Sequence, residues 1–307
     1  MKTNKCQVFI LFGQSQATGH AIPMSESDKI TTPLKNVFGL NRKDNQSFDI
    51  QSLTWSGYTS AHMNLGEEQD NTYSLANCLA TRWQQAIDSG VDLPDLYIVH
   101  ISIGAQGVTE QYLPNGEVKK YMWNPLYEKK LIPGRLWTAD ISLYPFALHI
   151  LSLLDESFKR HGKDYAVMNL YWRGGEEDMT TPVAVLREKL KGVYEEIFAG
   201  FYSALGLKPP VTLNRIVSRE ATLKHWGDAG IQSLDYIEQV FESLSQENEN
   251  ISLFDCRNSP YYTATESGNG LFIEDLVHYK PEINWWNAEV IVKNQIARLC
   301  ENPTEIF

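Results

Sequence analysis

Short apolar runs alternate with longer amphipathic segments along nearly the whole sequence, and that rhythm leaves few folds open. Residues 7–12, 96–101, 165–172, 211–217 and 251–254 are compact apolar stretches of strand length. Between them, apolar residues recur at helical spacing. Leu75, Leu79, Trp83 and Ile87 mark a helix over 73–88, and Phe146, Ile150, Leu153, Leu154 and Phe158 mark one over 145–161. Residues 183–205, 231–244 and 281–299 continue the pattern. Strand–helix alternation predicts a mainly parallel sheet with helices on both faces, an α/β fold in the form of a three-layer α/β/α sandwich. Ligands of such sheets bind at the carboxyl ends of the strands.

Two stretches break the rhythm, at about 17–71 and 110–140. Both are turn-rich and aromatic: Trp55, Tyr58 and His62 lie in the first, and Tyr112, Tyr121, Trp123, Tyr127 and Trp137 in the second. The aromatics argue against disorder, so we expect walls or lids over a site on a single domain spanning 1–307. The 307 residues are 43% hydrophobic and 21% charged, enough for a sizeable core and unlike a disordered, fibrous or disulfide-dense chain. The net charge of −11 disfavours nucleic acid and anionic membrane surfaces as partners. Lys119-Lys120 and Lys129-Lys130 are pairs rather than a basic stripe.

No stretch approaches the roughly 18 apolar residues of a membrane span. Lys2 and Lys5 precede the apolar run 8–12, but five residues fall short of the roughly 7–15 of a signal-peptide core. A buried first strand and a cytoplasmic protein are expected, or a secreted or periplasmic one if a signal preceded this sequence. Cys6, Cys78, Cys256 and Cys300 form no zinc-knuckle or Cys-x-x-Cys pattern and read as free buried thiols. The sequence does not fix an oligomeric state.

Four turns that follow predicted strands carry chemical side chains. Gly13-Gln14-Ser15-Gln16 presents a serine, which serves as a nucleophile when a base takes its proton or simply caps a helix. In Asp275-Leu276-Val277-His278 the carboxylate can reach the imidazole, orient it and stabilise its charged form; a surface ion pair is the plainer use. The loop 103–109, with Gly104 and Gly107, can aim backbone N–H groups as an oxyanion hole requires, and its spacing matches no phosphate-binding pattern. Glu176, Glu177 and Asp178 suit general acids, metal ligands or a helix N-terminal turn. With Asp275 and His278 they compose a carboxylate-rich set of the kind hard cations favour. Only one histidine is well placed, and no His-x-x-x-His or cysteine pair accompanies it.

Together these turns resemble the SGNH hydrolases, within them the sialate O-acetylesterase-like group that includes carbohydrate esterase family 6. Gly13-Gln14-Ser15-Gln16 is similar to a first block Gly-Gln-Ser-Asn, Trp172-Arg173-Gly174-Gly175-Glu176-Glu177-Asp178 to Trp-x-Gln-Gly-Glu-x-Asp, and Asp275–His278 to Asp-x-x-His. The resemblance runs from residue 7 to about 299. It implies a flavodoxin-like sheet, a Ser15–His278–Asp275 triad, and an oxyanion hole from Ser15, Gly107 and position 174, with Arg173 as an alternative donor. It further implies substrate contacts from Gln14, Gln16, Gln106, Arg173 and Glu176, and neither metal nor cofactor. The implied reaction removes acetyl groups from O-acetylated carbohydrates such as sialic acid or xylan-type sugars, with a small-molecule or oligosaccharide acetyl ester as substrate. Two positions depart from the pattern. Gly174 replaces the glutamine whose side chain would donate to the oxyanion, and Gln16 replaces asparagine. Loss of one such donor typically lowers the rate by about 10²–10³, so a catalytically weakened glycan-binding protein on the same fold is the alternative.

Overall fold

The computed structural model describes residues 5–20, 22–61, 63–66, 71–112, 115–126, 142–263 and 270–299. His62, Cys300 and all of 127–140, with Tyr127, Lys129, Lys130 and Trp137, lie outside the described residues.

In chain order the elements are β1 (Cys6–Gly13), α1 (Ser15–Thr18), β2 (Val37–Leu40), α2 (Arg42–Asn45), β3 (Trp55–Gly57), α3 (Leu75–Asp88) and β4 (Leu96–Ser102). Next come β5 (Glu110–Tyr112), β6 (Val118–Lys120), α4 (Leu143–Ser152), α5 (Leu154–Arg160), β7 (Tyr165–Arg173) and α6 (Val183–Leu205). The chain closes with β8 (Val211–Asn214), α7 (Arg219–Glu247), β9 (Ile251–Phe254) and α8 (Pro281–Leu299). Seven strands form one sheet in the order β3-β2-β4-β1-β7-β8-β9, parallel throughout except for the β2–β3 pair. The span β4-β1-β7-β8-β9 reproduces the doubly wound 2-1-3-4-5 order.

β1 sits at the centre because it is apolar on both faces. Val8, Ile10 and Phe12 enter one core with α4, α6 and α7, while Phe9 and Leu11 enter a second core with α3 and α8. All five are fully buried, each contributing about 1.5–3 kcal/mol. A strand with two apolar faces is stable only where helices cover both sides of the sheet, and the three-layer sandwich provides that.

The expectation of an irregular wall over 17–71 is corrected here. β2 and β3 extend the sheet outward from β4, with Val37 paired to Leu96 and Leu40 to Trp55. Strands of four and three residues are too short to show a period, and the β4 partner that anchors β2 lies far away in sequence. The helix expected over 145–161 is two helices meeting at Leu153; it begins upstream of Pro145, which is tolerated in a first turn. Among the described residues, no helix is long and apolar enough to cross a membrane, and Cys6, Cys78 and Cys256 are free and buried.

Candidate active site

The order of the sheet reverses between β1 and β7, and the carboxyl ends of these two strands meet there. The Gln14 N–H donates to the Arg173 carbonyl at 2.9 Å. Gly13 has φ +148°, and a Cβ on it would stand 1.8 Å from that carbonyl oxygen, so no other residue fits the turn. The turn delivers Ser15 to the first position of α1, where it is 9% exposed.

A second tight structure faces it. Residues 271–280 fold back on themselves, with Ile273 N–H donating to the His278 carbonyl and Lys280 N–H to the Leu271 carbonyl, each at 2.9 Å. At the tip, Leu276 takes φ +63°, unusual for a residue with a side chain. That conformation lets one Asp275 oxygen accept from the N–H groups of Val277 and His278 at 2.9 Å each, while the other meets His278 Nδ1 at 2.6 Å. Burial alone would raise the Asp275 carboxyl; the bonds from the His278 ring and the two amides outweigh it and hold the group below its ordinary value. The far nitrogen, His278 Nε2, is buried with no hydrogen-bond partner.

Gln16 joins the two structures. Its amide nitrogen donates to the Val277 carbonyl, and its Oε1 accepts from the Tyr279 N–H at 3.4 Å. The side chain next to Ser15 thus clasps the backbone on both sides of His278. No hydrogen bond links Ser15 Oγ to His278 Nε2; contacts of this kind often tighten only when substrate binds.

The remaining expected residues have partners of their own. Asp178 is fully buried and accepts from the N–H groups of Val108 (3.1 Å) and Thr109 (2.9 Å) and from the Thr109 hydroxyl (2.5 Å). It fixes the loop that carries Gly107, where a Cβ would lie 2.6 Å from the Asp178 carboxylate. Neither the Ser15 nor the Gly107 N–H is taken by another described protein group. Glu176 is buried and accepts from Gln14 Nε2 at 2.7 Å. Burial pushes its carboxyl up to about 7, against the lowering effect of its own backbone hydrogen bond and of Arg173. Burial likewise raises Asp178 to about 6, despite the donors from Thr109 and Val108.

The Gln106 side chain is engaged locally, donating to the Ala105 carbonyl at 2.6 Å and accepting from Met122 N–H at 3.0 Å. Arg173 reaches the Gln16 carbonyl and Asn284. A Cβ at Gly174 would meet only ordinary contacts, at 3.4 Å from the Trp172 indole nitrogen and 3.6 Å from Gly13 Cα. Glu176, Asp178 and Asp275 thus turn to different partners, and no three His, Cys, Asp or Glu side chains group as a metal site among the described residues.

No protein-family model matches the chain, and no curated protein matches it. Solved structures do. A protein from Arabidopsis thaliana is similar at TM-score 0.57 and 14% identity, over 96% of this chain and 100% of that one. At such identity the likeness is one of fold, and it agrees with the α/β sandwich described above. A carbohydrate esterase family 2 enzyme from Corynascus thermopiles, solved with a carbohydrate-binding domain, matches at TM-score 0.43 and 10% identity. That match covers 96% of this chain and 66% of the other. A carbohydrate acetylesterase family member from Sinorhizobium meliloti gives TM-score 0.43 and 10% identity, over 95% of this chain and 99% of that one.

Three residues of the site were not singled out from sequence. The His20 ring lies 5.0 Å from the His278 ring, centroid to centroid. Its signal was its place five residues after Ser15, just beyond the single turn of α1. Tyr279 and Asn284, which contact Arg173, carry no pattern that marks them.

Proposed function

We propose that this chain is a serine esterase that removes acetyl groups from O-acetylated carbohydrates. The observation that carries the reading is the half-buried Asp275–His278 pair, whose Nε2 is buried without a partner and whose backbone is clasped by the residue beside Ser15. In the proposed cycle Ser15 Oγ attacks the ester carbonyl carbon and its proton passes to His278 Nε2. The N–H groups of Ser15 and Gly107 hold the oxyanion. The carbon–oxygen bond to the sugar then breaks, and the same proton goes to the leaving oxygen. Water repeats the sequence on the acyl-enzyme and releases acetate. Asp275 fixes the tautomer and stabilises the imidazolium. The acetyl and carbohydrate parts of the reading rest on the sequence motifs around Ser15, Trp172 and Asp275.

Gly174 supports a second reading. With Gln106 and Arg173 bonded elsewhere, the usual third donor has no replacement among the residues named, which favours a slow enzyme or a glycan binder. Hydrolysis of p-nitrophenyl acetate against longer-chain esters, and of acetylated sugars, decides between them. Wild-type turnover favouring acetate, reduced at least about a thousandfold in Ser15→Ala, is expected of the esterase. Retained turnover in Ser15→Ala overturns the mechanism. Glycan binding without ester cleavage selects the second reading.

A further inference from the structure

Arg173 is fully buried, yet no carboxylate forms an ion pair with it among the described residues. A buried charge without an opposite partner is unfavourable unless its surroundings are well organised. Its hydrogen bonds and its ring contact lie beside the proposed catalytic pair and at the start of α8. Nη1 donates to the Gln16 carbonyl at 3.2 Å and to Asn284 Oδ1 at 2.6 Å. The guanidinium lies 5.1 Å from the centre of the Tyr279 ring, the residue directly after His278. Asn284, at the start of α8, donates in turn to the Tyr73 carbonyl at 2.7 Å. One guanidinium thus touches the Ser15 turn, the His278 turn and the helix behind them.

We propose that Arg173 is a positioning residue that acts through Gln16, a role that rests on the esterase reading above. Helix α1 is four residues long and has no side-chain cap, so little else fixes the Gln16 carbonyl. The charged donor pins that carbonyl, and the Gln16 side chain then holds Val277 and Tyr279 on either side of His278. Misplacing a reacting group by about 1 Å can lower a rate about 10²-fold. An oxyanion donor, the role the resemblance implied for position 173, would act on substrate directly and independently of Gln16.

A double-mutant cycle separates the two roles. Arg173→Met, Gln16→Leu and the double variant are assayed for kcat and KM on p-nitrophenyl acetate, and for the rate at which a fluorophosphonate labels Ser15, read by mass spectrometry. Each single variant is expected to lower kcat and the labelling rate together by about 10–100-fold, with KM within about twofold. The double variant is expected to be no worse than the worse single one. Multiplicative losses, or labelling unchanged at a temperature where the variant is folded, overturn the proposal. If Arg173→Met does not fold, Arg173→Lys takes its place in the cycle. A folded wild-type protein with neither turnover nor labelling at Ser15 overturns the esterase reading itself, and the proposal with it.

Discussion

Replacing Glu176 by glutamine tests how the buried carboxyl behind the Ser15 turn is held. In the folded chain this group titrates near 7, against an ordinary value of 4.5. Between those pH values the folded state keeps a proton that the unfolded state releases. The contribution of this group to stability is therefore highest at and below pH 4.5, falls as pH rises toward 7, and is level above it. One pH unit of such a difference is worth about 1.36 kcal/mol, so the ionised carboxylate opposes folding by about 3 kcal/mol at pH 8. That is a large share of the roughly 5–15 kcal/mol that holds a domain together. Glu176→Gln removes the penalty and leaves an amide oxygen to accept from Gln14 Nε2. Gln14 Oε1, on the same amide and buried without a partner, is the acceptor open to one of the new N–H groups. Asp178, raised to about 6, slopes in the same sense but is present in both proteins and drops out of the difference. Urea unfolding of both proteins from pH 4.5 to 8.5 is the assay. The variant's advantage should grow from near zero at pH 4.5 to about 3 kcal/mol at pH 8. An advantage that does not change with pH would refute the reasoning.

Two further outcomes follow from the same geometry. Asp275→Asn keeps the shape of the His278 turn but loses the negative charge that stabilises the imidazolium, and kcat on acetyl esters should fall by about 10³–10⁴ with the thermal midpoint nearly unchanged. Asp178→Ala removes the acceptor of two buried amides and one hydroxyl. At about 1–3 kcal/mol for each unsatisfied group, denaturant unfolding should show a loss of about 3–9 kcal/mol, and amide exchange should speed up at Gly107 and its neighbours.

Sequence pattern reached as far as local signals extend. Val183–Leu205 and Pro281–Leu299 are long enough for their helical period to stand out, and both are observed with those ends. Asp275 and His278 are three residues apart, so their contact was legible without any knowledge of the fold. The clasp was not, because Gln16 and Val277 lie 261 residues apart and nothing in either local sequence names the other. The motif implies an oxyanion donor or a substrate contact for Arg173; only the folded chain shows its side chain bonded to the Gln16 carbonyl and Asn284. Asp178 read as an acid suited to a helix start, whereas its depth turns it into the acceptor for a loop some 70 residues earlier in the chain. β2 and β3 stayed hidden because the pairing of β2 with β4 and of β3 with β2, rather than their own composition, makes them strands.

The central place of β1 governs the order in which this protein can assemble during synthesis. β1 is made before both of its sheet neighbours, β4, beginning at Leu96, and β7, beginning at Tyr165. Until both have emerged, five consecutive large apolar side chains lack their cover, which is the kind of segment chaperones bind and aggregates recruit. A nascent chain stopped anywhere before Val277 carries Ser15 without the far side of its clasp.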